Sequence, residues 1–263
     1  MCVFLKLSGS LITNKETVET PQINTIRHLA HEIADALAER PDLRLLVGHG
    51  NGSFGHIAAQ QYGTRDGVRT DDDWLGFAHI SVLAARLNQL VLDALHDAGV
   101  PVFRVQPSAS ARCVDGQLID MFLEPINQAL KHGLVPLVHG DVAIDEKRGG
   151  TLVNIDSILA HLARQIKPRQ IILAGEQDGI LDSNRNLIPH ISPESLDNLW
   201  SSPVGVDSVD ERTASKVVQM LALCEALPGF TVRFISGLNP GLVKRCLVDE
   251  MAPFGTLLAA TQG

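Results

Sequence analysis

Short apolar runs alternate along the chain with longer stretches in which apolar residues recur at helical spacing, the pattern of β-α units over a mainly parallel sheet. Strands are predicted at residues 2–7, 43–47, 100–105, 134–138, 170–174, 231–235 and 255–259. An amphipathic helix is predicted over 21–40, with Pro21 in its first turn, and a longer one over 74–98. Shorter helices are predicted over 56–61, 157–165 and 211–226. Residues 62–73 are polar, carry two glycines and end in three aspartates, which reads as a surface loop or as a lid over a site. Residues 113–119 and 141–153 place a glycine-containing turn between β-prone pieces and read as hairpins projecting from the main sheet. There is no internal repeat, no low-complexity linker and no clear domain boundary, only a weak waist near Gly175. The fold class is therefore α/β with an open, mostly parallel sheet.

A chain of 263 residues allows one large α/β domain or two small ones at roughly 150 residues per domain. Its 45% apolar and 20% charged residues exclude a disordered or collagen-like chain. Aromatic residues are only 4%, with the single tyrosine Tyr62, which argues against stacking of bases on aromatic platforms. A net charge of -8 repels nucleic acid and anionic membrane, so neither is an expected partner. An anionic substrate would need cations and backbone amides gathered locally against that field. Cys2, Cys113, Cys224 and Cys246 show no paired spacing, so neither a disulfide framework nor a zinc site is indicated. The first residues lack a signal-peptide pattern and no apolar run is long enough to span a bilayer, which leads us to expect a soluble, cytoplasmic protein.

Several motifs carry candidate chemistry. Lys6-Leu7-Ser8-Gly9-Ser10 ends a strand in a small-residue turn, where backbone N–H groups can approach phosphate oxygens and the lysine adds a point charge. Lys15 lies close enough to fold back onto the same anion, although such turns also occur without any ligand. A second loop, Gly48-His49-Gly50-Asn51-Gly52-Ser53-Phe54-Gly55-His56, follows an apolar strand and precedes a helical stretch. Gly50, Gly52 and Gly55 have the dinucleotide-fingerprint spacing, but that motif requires a second strand ending in an acidic residue about 20 positions on, where the polar 62–73 segment stands here. What remains is a glycine-rich loop at a helix N-terminus, a ready anion site with His56 at its edge; His56 equally reads as a cap. Asn154-Ile155-Asp156 opens a helix, so Asp156 is either its cap or an organiser of lysines. Gly175-Glu176-Gln177-Asp178-Gly179 is a turn, and Lys216 sits in a late helix. His28 and His31 share a helix face but lack an accompanying ligand set, and no P-loop, nucleophile elbow or zincin motif occurs.

Taken in order, these pieces resemble the amino acid kinase superfamily, and within it the isopentenyl phosphate kinase family, over nearly the whole chain. The most specific piece is the glycine loop ending in Phe54-Gly55-His56, which resembles the branch with phosphate acceptors more than the branch with carboxylate acceptors. The resemblance implies a single domain over 1–263, a three-layer sandwich around the sheet with an acceptor-binding half over about 1–170 and a nucleotide-binding half over about 171–263, a homodimer, and ATP with Mg2+ held mainly by the nucleotide. It implies that Lys6, Ser8, Gly9, Ser10 and Gly52 bind ATP phosphates and that Lys15 stabilises the transferring group. Gly50, Asn51 and His56 would hold the acceptor phosphate, with Asn154 and Ile155 facing the substrate, and Asp156 would organise the lysines. Glu176, Asp178, Gly179 and Lys216 fall where the family contacts nucleotide. Phe77, Ile80 and Leu83 on the long helix are candidates for the acceptor's apolar tail, with core packing as the alternative. Such a phosphate acceptor is its own nucleophile, because its second pKa is near 6, so no general base is needed.

Four positions depart from the family pattern. Ser8 and Asn51 replace glycines, Asn154-Ile155 replaces Ser-Gly, and Val209-Asp210-Glu211-Arg212-Thr213 stands in place of a Thr-Gly-Gly-Met loop. The implied reaction is ATP-dependent phosphorylation of isopentenyl phosphate. A kinase acting on a phosphonate such as fosfomycin or on an amino-acid carboxylate, and a nucleotide-binding protein with weak catalysis, remain open alternatives.

Overall fold

A computed structural model describes residues 1–14, 16–55, 62–64, 67–182, 184–196 and 211–260, with backbone only at 211 and 212. The alternation of apolar residues in the first strand, β1 (Cys2–Leu7), sets the layering. Val3, Leu5 and Leu7 pack on one face, while Phe4 packs on the other. β2 (Arg44–His49) repeats the device with Leu45 and Val47 against Leu46. A strand buried on both faces belongs at the centre of a parallel sheet covered by helices on both sides.

The remaining strands of this sheet are β3 (Val102–Arg104), β6 (Val135–His139), β9 (Gln170–Gly175), β10 (His190–Ile191), β11 (Thr231–Ser236) and β12 (Thr256–Leu258). Their order is β10-β12-β11-β9-β1-β2-β6-β3, parallel throughout except for the β11–β12 pair. The chain winds outward from β1 in both directions, so the switch point lies between β1 and β9, where ligands of open α/β sheets bind beyond the strand C-termini. One face carries α2 (Ile23–Glu39), α3 (Asp71–Asp97) and α7 (Leu242–Val248), burying Ile26, Leu29, Ile80, Leu87 and Val243. The other carries α4 (Glu124–Lys131), α5 (Ile155–Ile166) and α6 (Glu211–Ala226), burying Ile126, Ile158, Leu162 and Met220. A short α1 (Gly9–Ile12) follows β1 directly.

Several expectations are corrected in detail. The two hairpins do not project separately: β4 (Arg112–Val114) with β5 (Gln117–Asp120), and β7 (Asp141–Asp145) with β8 (Gly149–Val153), join through a parallel β4–β7 pairing into a second sheet of four strands. Pro21 is not in the first turn of α2; it bridges to Thr13, and Gln22 is the N-cap. The long helix begins at Asp71 because Thr70 and Asp73 form a reciprocal capping box, which puts all three aspartates in the first turn, where the helix dipole favours negative charge. That helix is also, contrary to expectation, long and apolar enough by hydropathy alone to cross a membrane. Its buried positions Ile80, Leu83, Leu87 and Val91 lie in the core beside the sheet, as in a core helix. The predicted helix over 56–61 lies outside the described residues.

Candidate functional site

β1, β2, β6 and β9 run parallel and end at one edge of the sheet, so the segments that follow them meet there. The loop after β1 and the glycine loop after β2 touch backbone to backbone. A Cβ on Gly9 would lie 2.3 Å from the Gly52 nitrogen, and one on Gly50 would lie 2.9 Å from the Gly9 nitrogen. Gly52 has φ +47°, and a Cβ there would strike the Thr13 hydroxyl. These are approaches that only glycine permits at both partners. The Gly50 N–H donates to Leu7 O at 3.0 Å, and the Ser8 N–H donates to Ala174 O at 2.9 Å, fixing the first loop against β9. Thr13 ties the two loops together: its hydroxyl donates to Gly9 O at 2.8 Å and accepts the Ser53 N–H at 3.0 Å. No sequence signal marks Thr13, because its two partners belong to loops that only the fold brings together.

Lys6 shares its face of β1 with Phe4, the face covered by α5 and α6. Its ammonium donates to both Asp156 oxygens, at 2.5 and 2.7 Å. Asp156 is free to accept because Asn154, not Asp156, caps α5, taking the Ser157 N–H at 2.8 Å. The capping role considered for Asp156 is thus corrected. Burial pulls the Lys6 ammonium down to about 8; Asp156 opposes this and the nearby Lys216 reinforces it. Burial raises the Asp156 carboxyl, but Lys6 and then Lys216 outweigh it and hold the group below the usual range. The result is a carboxylate between two lysines, with net positive charge at the end of β1.

The other expected residues divide. Ser8, Gly9, Ser10, Gly50, Asn51 and Gly52 gather with Lys6, Asp156 and Lys216 around the crevice. Asn51 packs against Gly55 and approaches Gly140, with its Oδ1 buried and unpartnered among the described residues. Asn154 is exposed, whereas the Ile155 side chain turns away into the core beneath Gly48. Glu176 and Asp178 are exposed after β9, and Asp178 accepts from Asn239 at 2.7 Å. Gly179 is buried, and a Cβ there would meet Leu187 and Thr256 at 2.6 Å, so close packing accounts for this glycine. Ile80 and Leu83 are fully buried in the core, a correction to their expected contact with an acceptor tail. Phe77 is half-buried over Gly150 with the Trp74 ring edge-on. Lys15, His56, Val209 and Asp210 lie outside the described residues, as do the side chains of Glu211 and Arg212.

Among the described residues no three His, Cys, Asp or Glu side chains converge to hold a metal ion. Both oxygens of Asp156 are engaged by Lys6. A divalent ion arriving with a nucleotide would therefore be held mainly by the nucleotide's own phosphate oxygens.

The model of the amino acid kinase family matches residues 1–226, and the chain belongs to that family. It is 34% identical over 252 residues to isopentenyl phosphate kinase of Haloferax volcanii, covering 92% of this chain and 98% of that one. It is 30% identical over 216 residues to isopentenyl phosphate kinase of Methanocaldococcus jannaschii, covering 80% and 82%. A solved structure of isopentenyl phosphate kinase superposes with a TM-score of 0.82 at 28% identity, covering 98% of this chain and all of that one.

Proposed function

We propose that the protein transfers the γ-phosphoryl group of ATP to isopentenyl phosphate, giving isopentenyl diphosphate and ADP. The observation that carries this reading is the interlock of the two glycine loops beside the Lys6–Asp156–Lys216 cluster, which supports two anions side by side. Relatives named for this reaction over nearly the full length support the choice of acceptor. Lys6 and Lys216 neutralise charge on the transferring group, and the amides of Gly9, Ser10 and Gly52 solvate the nucleotide phosphates. An acceptor oxygen attacks the γ-phosphorus; the bond to the β,γ-bridging oxygen breaks and ADP leaves with the electron pair. No proton need move, because the acceptor is largely dianionic above its second pKa near 6. Asp156, with both oxygens bound, serves as an organiser of lysines and not as a base.

Lys15 and His56 enter the reading through the family resemblance, as stabiliser of the transferring group and donor to the acceptor phosphate. Glu176 and Asp178 border the nucleotide, and Phe77 borders the acceptor tail. Mg2+ accompanies ATP and supplies charge neutralisation on its phosphates. A cytoplasmic homodimer completes the reading, and four free cysteines suit a reducing compartment. The test is incubation with Mg-ATP and, separately, isopentenyl phosphate, fosfomycin and N-acetylglutamate, followed by phosphorus NMR. A diphosphate product from isopentenyl phosphate is expected; turnover of only the phosphonate or only the carboxylate would overturn the reading.

A further inference from the structure

β2 ends in His49, whose ring is fully buried at 0% exposure and faces α3. Its Nδ1 lies 3.1 Å from Gly50 O, and its Nε2 lies 3.0 Å from the Asn88 carboxamide nitrogen. A carbonyl oxygen can only accept, so the first contact requires a proton on Nδ1. A neutral ring then has a bare Nε2, and Asn88 must donate to it. The ring is neutral: it stacks on His139 at 5.5 Å, and burial followed by that neighbour lowers its pKa to about 3.

The bond to Gly50 has a directional consequence. In a trans peptide, the carbonyl of one residue and the N–H of the next point in opposite directions. With Gly50 O tied back to His49 and its N–H tied to Leu7 O, both peptide planes at Gly50 are fixed. The Asn51 N–H must then point away from His49, and no acceptor takes it among the described residues. Asn51 is one of the loop residues, with Gly50 and His56, assigned to the acceptor phosphate.

We propose that His49 is a positioning residue for the acceptor: held as the Nδ1–H tautomer by Asn88 on α3, it pins the Gly50 carbonyl and so aims the Asn51 amide N–H at the acceptor phosphate. This inference rests on the acceptor assignment made above. Because α3 also carries Phe77, one helix would set both the tail-facing residue and the phosphate-facing amide.

Two variants separate the two ring nitrogens. His49→Asn retains a donor where Nδ1 stood; His49→Gln retains a polar group where Nε2 stood and loses the donor to Gly50. Among variants whose thermal melts show a folded protein, His49→Gln should raise the KM for isopentenyl phosphate at least about fivefold with the KM for ATP within about twofold, while His49→Asn stays near wild type in both. Equal effects of the two variants on the acceptor KM, or a matching rise in the KM for ATP, would overturn the proposal. Nitrogen NMR of the wild-type ring decides the matter even if neither variant folds: a neutral Nδ1–H tautomer is expected, and an Nε2–H tautomer overturns it. Absence of isopentenyl phosphate turnover by the wild type overturns the acceptor assignment, whereas a wild type that turns over with an Nε2–H ring overturns the role of His49 alone.

Discussion

On the function proposed above, the two sides of the crevice would handle negative charge by different means. On the side of α5 and α6, recognition would rest on formal charge, because Lys6, Lys216 and Asp156 form a cluster of charged side chains. On the side of the glycine loops, recognition would rest on shape: Gly9, Gly50 and Gly52 bring backbone to backbone, and Thr13 ties the loops together. A charge cluster tolerates some change of shape but not loss of charge. A backbone cradle carries no formal charge to lose but has no room for a single methyl group. On that reading the division would also let a chain of net charge -8 hold a polyanion, because the backbone amides of the cradle carry no formal charge.

The largest expected effect comes from the shape side. Gly9→Ala puts a Cβ 2.3 Å from the Gly52 nitrogen and 2.7 Å from its Cα, both backbone atoms that cannot step aside. We expect kcat/KM to fall by about 1,000-fold through displacement of both loops, the scale on which misplaced anion donors act, with about 1–3 kcal/mol lost from stability by overpacking. Steady-state kinetics with a denaturant titration checks both. Near-wild-type kinetics for Gly9→Ala would mean that the interlock does not shape the site.

The charge side breaks differently, through pH. Lys6 titrates at about 8 in the folded chain, against 10.5 in a free lysine. The kcat/KM for ATP, which reports the free enzyme, should therefore decline as pH rises through about 8, and Lys6→Arg should remove that decline because the guanidinium keeps its charge. Stability moves the opposite way. Between about 8 and 10.5 the unfolded chain binds more protons at this residue than the folded one, so the contribution of Lys6 to stability rises with pH in that window. Falling activity with an undiminished melting temperature would identify titration, and a parallel fall in both would identify unfolding. Lys6→Met should lower kcat/KM about 100-fold below about pH 8, and the gap to wild type should close above it as Lys6 itself loses its charge.

The two sides were also unequally legible in the sequence. The glycine loops stand out because glycines clustered between an apolar strand and a helical stretch are a local signal, and the strands at 2–7, 170–174 and 231–235 are read almost to the residue. The pairing of Lys6 with Asp156 spans 150 positions, so the local residues offered Asp156 as an organiser of lysines without saying which ones. Local reasoning even offered Asp156 a competing role as helix cap, which Asn154 fills two residues earlier. Thr13, His49 and Asn88 carried no signal, because each acts by bridging elements that are distant in sequence. The union of the two hairpins into one sheet escaped for the same reason, since the β4–β7 pairing is a tertiary choice.

Thr13 is where the shape side can be loosened without adding an atom. Its hydroxyl serves Gly9 O and the Ser53 N–H at once, and the side chain is 1% exposed. Thr13→Val keeps the volume and removes the bridge, leaving the Ser53 N–H buried without an acceptor, which costs about 1–3 kcal/mol. Because the Val methyl takes the place of a hydroxyl 2.8 Å from Gly9 O and 3.0 Å from the Ser53 nitrogen and adds no further heavy atom, the loops should ease apart and not be displaced, so we expect only a few-fold rise in the KM of both substrates with kcat nearly unchanged. Thr13→Ser keeps the hydroxyl and should recover most of the binding while losing some packing. If Thr13→Val instead left both KM values unchanged at reduced stability, the interlocked glycines alone would set the cradle, and the hydroxyl would matter only to folding.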